Sequence, residues 1–142
     1  MTAKEFLQKG RKMNDEVQQL LFAKQQAREL ACSVSVTYSD NKTNPSLDNS
    51  MERKMTDYAN YSVMLDKRMK ELINYRFKMI SLIVRLDDVT HRTLLIARYI
   101  DCKTWERIAE EMHYSDKWVR THLHSKALQA LDDILCGLET VP

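Results

Sequence analysis

The sequence predicts an all-α protein in which long antiparallel or coiled-coil helices precede a C-terminal helix-turn-helix domain. Only 2 Gly and 2 Pro occur in 142 residues, too few for the many turns of an all-β fold. Apolar residues recur alternately every three and four positions along two long segments, which is typical of helices. Residues 104–128 instead resemble two short, capped helices. The length fits one ordinary domain, or a small domain with an extension.

Composition narrows the class of protein further. Hydrophobic residues make up 44% and charged residues 30% of the chain, so disorder throughout is excluded. The net charge of +2 points only weakly to an acidic partner, and the local distribution of charge matters more. Residues 1–7 form no signal peptide, and the longest apolar runs, at 79–84 and 94–97, cannot span a bilayer. We expect a cytoplasmic protein without membrane contacts.

The three cysteines are Cys32, Cys102 and Cys136. Their number is odd and their spacing wide, whereas disulfide frameworks and zinc sites need closer pairs with histidines in register. We expect reduced thiols, no metal and no cofactor.

Residues 1–32 are predicted to form an N-terminal helix. The segment is rich in Gln, Lys, Ala, Glu and Leu, which favour helices. Seven of nine residues at alternate spacings of three and four are apolar, a heptad-like stripe interrupted by Gly10 and Lys24. The stripe consists of Phe6, Gly10, Met13, Val17, Leu20, Lys24, Ala27, Ala31 and Val34.

Residues 33–50 are predicted to be a flexible polar linker. Ser, Thr, Asn and Asp crowd the segment, and Pro45 forbids a continuous helix. A short strand at 34–38 is the alternative, because Val34, Val36 and Tyr38 alternate with polar residues.

Residues 51–86 are predicted to form a long helix that serves as a dimerisation arm. Nine of eleven heptad positions are apolar, and Ile73, Phe77, Ile80 and Val84 add a second stripe beside the first. A helix of this length cannot bury its own apolar face. Its partner is the first segment folded back, a second subunit, or both, and ordinary packing in an intramolecular hairpin stays open beside a homodimer. The first stripe consists of Met51, Met55, Tyr58, Ser62, Leu65, Met69, Leu72, Arg76, Met79, Ile83 and Leu86.

Residues 87–136 are predicted to be the helix-turn-helix domain, followed by a tail at 137–142. Thr104 suits the N-cap of its first helix, with Glu106 in the first turn. Ala109 permits close helix packing, and Ser115 suits the cap of the second helix. His113 occupies the turn position that glycine often takes, and histidine tolerates a left-handed backbone better than most residues.

The second helix is the predicted recognition helix, and its exposed N-terminal face is expected to enter the major groove of DNA. Val119, Leu123, Leu128 and Leu131 form its inward stripe. Lys and Arg on the other face suit phosphates and guanine edges, whereas the two histidines, at i and i+2, project to different sides and suit no metal. The DNA-contacting candidates are Ser115, Asp116, Lys117, Trp118, Arg120, Thr121, His122, His124, Ser125 and Lys126.

The pieces RTLLIARYI, TWERIAEEMHYS and LHSKAL, within residues 86–135, resemble the C-terminal half of phage and prophage transcription regulators of the RinA/ArpU type. Those regulators carry a helix-turn-helix similar to region 4 of sigma factors, and VRTHLHSKALQAL also resembles the recognition helix of small sigma factors. The resemblance implies a sequence-specific activator of phage or prophage late genes in the bacterial host cell. Its implied partners are promoter or operator DNA in the nucleoid and RNA polymerase.

Two other functional classes were weighed. Catalysis has no support, because the chain lacks a Gly-rich phosphate loop, a nucleophile elbow and a His-Glu-x-x-His motif, so we expect no enzyme. The alternative function is a protein-interaction module that docks on RNA polymerase or another host protein without touching DNA.

Overall fold

A computed structural model describes the backbone of residues 1–38 and 45–139, and the side chains of residues 1–32 and 50–139. Within these ranges the chain is all-helical, as predicted, and contains no strand. No helix in the described part of the chain combines the length and apolar character needed to cross a membrane. The helices are α1 (Ala3–Tyr38), α2 (Pro45–Ile83), α3 (Val89–Leu95), α4 (Trp105–Met112) and α5 (His124–Glu139), with π-helical segments at Ile96–Ile100 and Trp118–Leu123.

The first two helices are longer than predicted. α1 continues to Tyr38, which excludes the alternative strand at 34–38, and α2 begins at Pro45. The predicted linker at 33–50 is therefore wrong at both ends, while residues 39–44 lie outside the described residues. Pro45 at the first helical position costs no hydrogen bond, because the N–H group that proline lacks would have no intrahelical partner there. Residues 33–38 at the end of α1 extend an existing helix, so the cost of nucleation does not recur.

The chain divides into two compact units. The two-helix unit comprises residues 14–71, and the five-helix unit comprises residues 1–13 and 72–142. The five-helix unit is thus wider than the predicted domain at 87–136, because it includes the start of α1 and the end of α2.

In the two-helix unit, α1 is folded back antiparallel to α2. Glu16 pairs with Arg68 at 3.4 Å, and the Lys24 ammonium lies 5.7 Å from the centre of the Tyr58 ring. The described buried side chains are Val17, Ala27, Ala31 and Leu65. Lys24 interrupts the apolar pattern in the sequence, yet it belongs to the inward face, because its stem packs there while its charge meets an aromatic ring.

The five-helix unit has one hydrophobic core. The start of α1 contributes Ala3 and Leu7, and the end of α2 contributes Met79 and Ile83. These residues pack with the three later helices, so residues far apart in sequence form one core. Its other fully or nearly buried members are Leu86, Leu94, Leu95, Ala97, Tyr99, Ile108, Ala109, Val119, Ala127 and Leu131.

The N-terminus of α1 is fixed by a capping box and by a carboxylate from α5. The backbone N–H of Glu5 donates to Thr2 Oγ1 at 3.2 Å, and the N–H of Thr2 donates to the Glu5 carboxylate at 3.0 Å. The N–H of Ala3 donates to Asp132 Oδ1 at 2.6 Å. These bonds satisfy amide groups that a helix start leaves without partners.

Gly10 marks the closest approach of α1 and α2 in the five-helix unit. A Cβ at this position would overlap the Met79 sulfur and would lie 3.2 Å from the Tyr75 ring. Tyr75 also packs against Phe6 and donates its hydroxyl to the Phe6 carbonyl at 2.7 Å. Gly10 therefore allows this contact, although in the sequence it interrupts the apolar stripe.

We expect Gly10→Val to lower the free energy of unfolding by about 1–3 kcal/mol, because the added atoms overpack a buried contact. The matched control is Gly137→Val in α5, where a Cβ meets nothing within 4 Å. That change should stay within about 0.5 kcal/mol of the wild type. Urea denaturation measures both, and equal effects at the two sites would contradict the packing of α1 on α2.

Candidate nucleic-acid interface

Two consecutive helices, α4 and the C-terminal helix (residues 116–139), are joined by a short turn. Thr104 Oγ1 accepts from the N–H of Arg107 at 3.3 Å, and Ser115 Oγ accepts from the N–H of Trp118 at 3.1 Å. Both predicted caps are confirmed. His113 adopts φ 62° and ψ 37°, the left-handed conformation predicted for it, and the N–H of Tyr114 closes the turn onto the Ala109 carbonyl at 3.0 Å. This arrangement is the Schellman motif.

Buried side chains hold the two helices together. Ile108, Ala109 and Val119 are buried, with Ile108 and Val119 completely inaccessible to solvent. Further along the C-terminal helix, Ala127 and Leu131 are the fully buried residues. The predicted inward stripe is therefore correct at Val119 and Leu131, whereas Leu123 and Leu128 are half-buried.

A π-helical turn changes the orientation of His124. The N–H of His124 bonds to the Val119 carbonyl five residues back, so this turn holds one residue more than an α-helical turn. His124 consequently joins the inward side. Its Nε2 lies 2.7 Å from the Tyr99 hydroxyl, and its ring contacts Trp105 edge-on at 4.7 Å. The prediction that the His124 side chain is exposed is wrong for this reason.

The environment of His124 keeps its imidazole neutral. Burial, together with the nearby cations Lys4 and Arg98, lowers the pKa of His124 to about 4. Arg98 lies over the Trp105 ring at 4.3 Å. Burial also raises the pKa of Tyr99, so the phenol keeps its proton. His124 is therefore a neutral packing residue that contacts Tyr99 in the π-helical segment Ile96–Ile100 and Trp105 in α4.

This burial predicts a pH-dependent stability. Because the pKa of His124 is about 4 in the fold and about 6.5 when unfolded, the unfolded chain binds more protons between these values. The resulting penalty is absent above pH 6.5, grows as pH falls and is complete below pH 4. We expect His124 to contribute about 1–2 kcal/mol of acid destabilisation after allowance for solvent screening.

Urea midpoints at pH 7 and pH 4.5 for the wild type and His124→Gln measure this contribution. The variant should lose less stability than the wild type over this interval. An identical loss in both proteins would contradict the inward position of His124.

The exposed face of the C-terminal helix is built on three residues spaced by four. Lys117, Thr121 and Ser125 are all exposed. The Thr121 hydroxyl donates to the Lys117 carbonyl at 2.5 Å, and the Ser125 hydroxyl donates to the Thr121 carbonyl at 2.7 Å. Such bonds are easily exchanged for bonds to a ligand, since the carbonyls keep their helical partners. Lys126 is also exposed beside Ser125.

The rings of Trp118 and His122 stack on each other beside Lys117, Thr121 and Ser125. Their ring centroids are 3.9 Å apart with an interplanar angle of 29°. Trp118 is 44% exposed, as predicted, whereas His122 is half-buried beneath the stack. This stacked pair gives the protein an apolar surface with one polar edge near the N-terminus of the C-terminal helix.

Arg120 makes ion pairs within the protein. Its guanidinium lies 3.0 Å from the Asp116 carboxylate and 3.3 Å from the Glu106 carboxylate on α4. Arg120 and Asp116 on the C-terminal helix and Glu106 on α4 thus link the two helices at the surface. Exposed pairs of this kind contribute at most about 1 kcal/mol, so Arg120 can exchange them for a phosphate. Among the described residues, Lys117 and Lys126 have no ion pair to exchange.

Sequence reasoning missed the cations that α1 brings to this region. Arg11 and Arg120 both lie close enough to Arg98 to lower its pKa, although burial is the larger cause. Lys4 acts in the same way on His124. No local sequence signal links residues 4 and 11 to a motif about one hundred positions later, since only the tertiary packing of α1 places them there.

No protein-family model, curated protein or solved structure matches this chain. Within the described residues, no group of three or more His, Cys, Asp or Glu side chains could hold a metal ion. The arrangement of helices, caps and charges is therefore the basis for assigning a function.

Proposed function

We propose that this protein is a sequence-specific DNA-binding transcription regulator whose C-terminal helix enters the major groove. The observation that carries the proposal is the pairing of α4 and the C-terminal helix through the left-handed turn at His113. The second helix buries Val119 and leaves Lys117, Thr121 and Ser125 exposed. A helix-turn-helix protein needs this division, because one side packs on the first helix while the N-terminal part of the other reads the groove.

Each exposed group has a chemical role in this proposal. Lys117 and Lys126 contact phosphates as point charges. The hydroxyls of Thr121 and Ser125 bond base edges or phosphates. The Trp118 ring contacts a sugar or a thymine methyl group. Arg120 becomes available when a phosphate competes with its two carboxylate partners.

The biological part of the proposal comes from the resemblance to RinA/ArpU-type regulators and to sigma region 4. In this proposal the protein activates late genes of a phage or prophage from promoter or operator DNA, binds as a homodimer, and contacts RNA polymerase. The docking alternative predicts contact with a host protein and no affinity for DNA.

A salt titration separates direct DNA binding from docking. The affinity of the full chain for a fluorescent duplex of about 30 base pairs is measured by anisotropy at several salt concentrations. Direct binding predicts a steep linear fall of log K with log salt, since every neutralised phosphate releases counterions. Absence of binding even at low salt would reject the proposal and favour a docking protein.

A further inference from the structure

One face of α2 in the five-helix unit exposes an apolar stripe. The exposed fractions are 62% for Ile73, 73% for Phe77, 39% for Ile80 and 56% for Val84. They follow the spacing 4-3-4, which places them on one side of a helix. This set is called the α2 stripe below.

The α2 stripe is not needed for the core of its own unit. The adjacent face of the same helix already packs inward through Leu72, Met79 and Ile83, all of which are buried. Roughly 400–500 Å² of apolar surface therefore stays in water on the α2 stripe, which is as large as the patches that mark interaction sites. A covering partner would remove this unfavourable exposure.

We propose that the α2 stripe is a self-association surface, covered by the same stripe of a second copy of this chain. Two copies related by a twofold axis would together remove about 1,000 Å² from water once the neighbouring atoms are included, which is the lower limit for a specific interface. The area predicts a concentration-dependent dimer. The proposal rests on the homodimer in the proposed function and names the surface that forms it.

The residues flanking the α2 stripe suit a copy of itself better than a charged partner. Asn74 and Ser81 border one side, and both are neutral. The Ser81 hydroxyl already donates to the Phe77 carbonyl at 2.7 Å, so it keeps a hydrogen-bond partner when a second copy covers it. At 100° per residue, Lys78 and Arg85 project more than about 100° away from the centre of the stripe. Arg76 borders the other side, about 70° from the centre. Parallel apposition of the two stripes about a twofold axis sets each Arg76 against the neutral side of the other copy.

Sedimentation equilibrium of the full chain over low to tens of micromolar concentration tests the proposal. The wild type should approach twice the 16.7-kDa chain mass. Phe77→Asp and Ile73→Asp should weaken the dimer at least tenfold, because each would place a carboxylate in the apolar interface. The matched control Phe22→Asp removes a phenylalanine that is 64% exposed in the two-helix unit and should leave the dimer unchanged.

Circular dichroism at a concentration where the wild type is monomeric checks folding. All three variants should keep the wild-type melting transition there, because the replaced side chains are exposed in the monomer. A wild type that stays monomeric at tens of micromolar would overturn the proposal. So would a dimer that Phe77→Asp leaves intact, or that Phe22→Asp weakens equally. These three outcomes are distinct from a failure of DNA binding, which the salt titration measures separately.

Discussion

Replacing Val119 with Asp should unfold the five-helix unit. Val119 is completely buried between α4 and the C-terminal helix, and none of the buried side chains in the described part of the chain carries a charge that could pair with a new carboxylate. An unpaired buried charge costs several kcal/mol, a large share of the roughly 5–15 kcal/mol that stabilises a typical domain. Both tryptophans, Trp105 and Trp118, lie in this unit, so their fluorescence should report the loss directly.

The matched control is Thr121→Asp, the same new side chain two residues further along the helix. Thr121 is exposed, so the free energy of unfolding should change by no more than about 0.5 kcal/mol. DNA affinity should nevertheless fall sharply, because the new carboxylate faces phosphates. A cooperatively folded Val119→Asp protein with wild-type fluorescence would show that the orientation of this helix is wrong.

Reversing the charges of Lys117 and Lys126 should weaken DNA binding about a hundredfold, or about 2.7 kcal/mol. Both lysines are exposed on the C-terminal helix, and each is expected to neutralise a phosphate. The slope of log K against log salt should therefore become shallower by about 2 units for the Lys117→Glu, Lys126→Glu double variant. Fluorescence anisotropy on a duplex gives both quantities.

The control for this variant is Lys67→Glu, Lys70→Glu on α2. Both of these lysines are also exposed, and the formal charge of the chain changes by the same amount. Affinity and salt slope should stay near the wild type. Equal losses in the two double variants would mean that total charge, rather than this helix, governs binding.

The sequence predicts those parts of the structure that neighbouring residues determine. Thr104 and Ser115 cap helices because their oxygens accept from amides only three residues away. His113 adopts the left-handed turn because the preceding helix ends there and the backbone must reverse. The inward orientation of Val119 follows equally from the 3.6-residue repeat. These local features define the two helices and the turn.

The rest depends on tertiary contacts and on helix geometry that local patterns do not encode. The π-helical turn after Trp118 shifts His124 inward, whereas a regular α-helix leaves it on the surface. Arg120 pairs with Glu106 across 14 residues, which no rule on helical spacing includes. Asp132 accepts a hydrogen bond from the N–H of Ala3 at the start of α1, a contact across 129 positions that no local pattern indicates.

The lengths of α1 and α2 show that residue composition alone does not predict where a long helix begins and ends. Ser, Thr, Asn and Asp each disfavour a helix by only tenths of a kcal/mol. A helix already more than thirty residues long can extend through several such residues, since each further turn adds hydrogen bonds without a new nucleus. Composition therefore assigned residues 33–38 and 45–50 to the predicted linker although they belong to α1 and α2.

The most direct test of the proposed function is to select the DNA that the protein binds from the genome encoding it. Purified wild-type protein and Thr121→Asp are incubated separately with sheared genomic fragments, and bound fragments are sequenced. We expect the wild type to enrich a few fragments that share a sequence near promoters, and the variant to enrich none of them. No enrichment by the wild type, or the same enrichment by Thr121→Asp, would contradict sequence-specific recognition by the C-terminal helix.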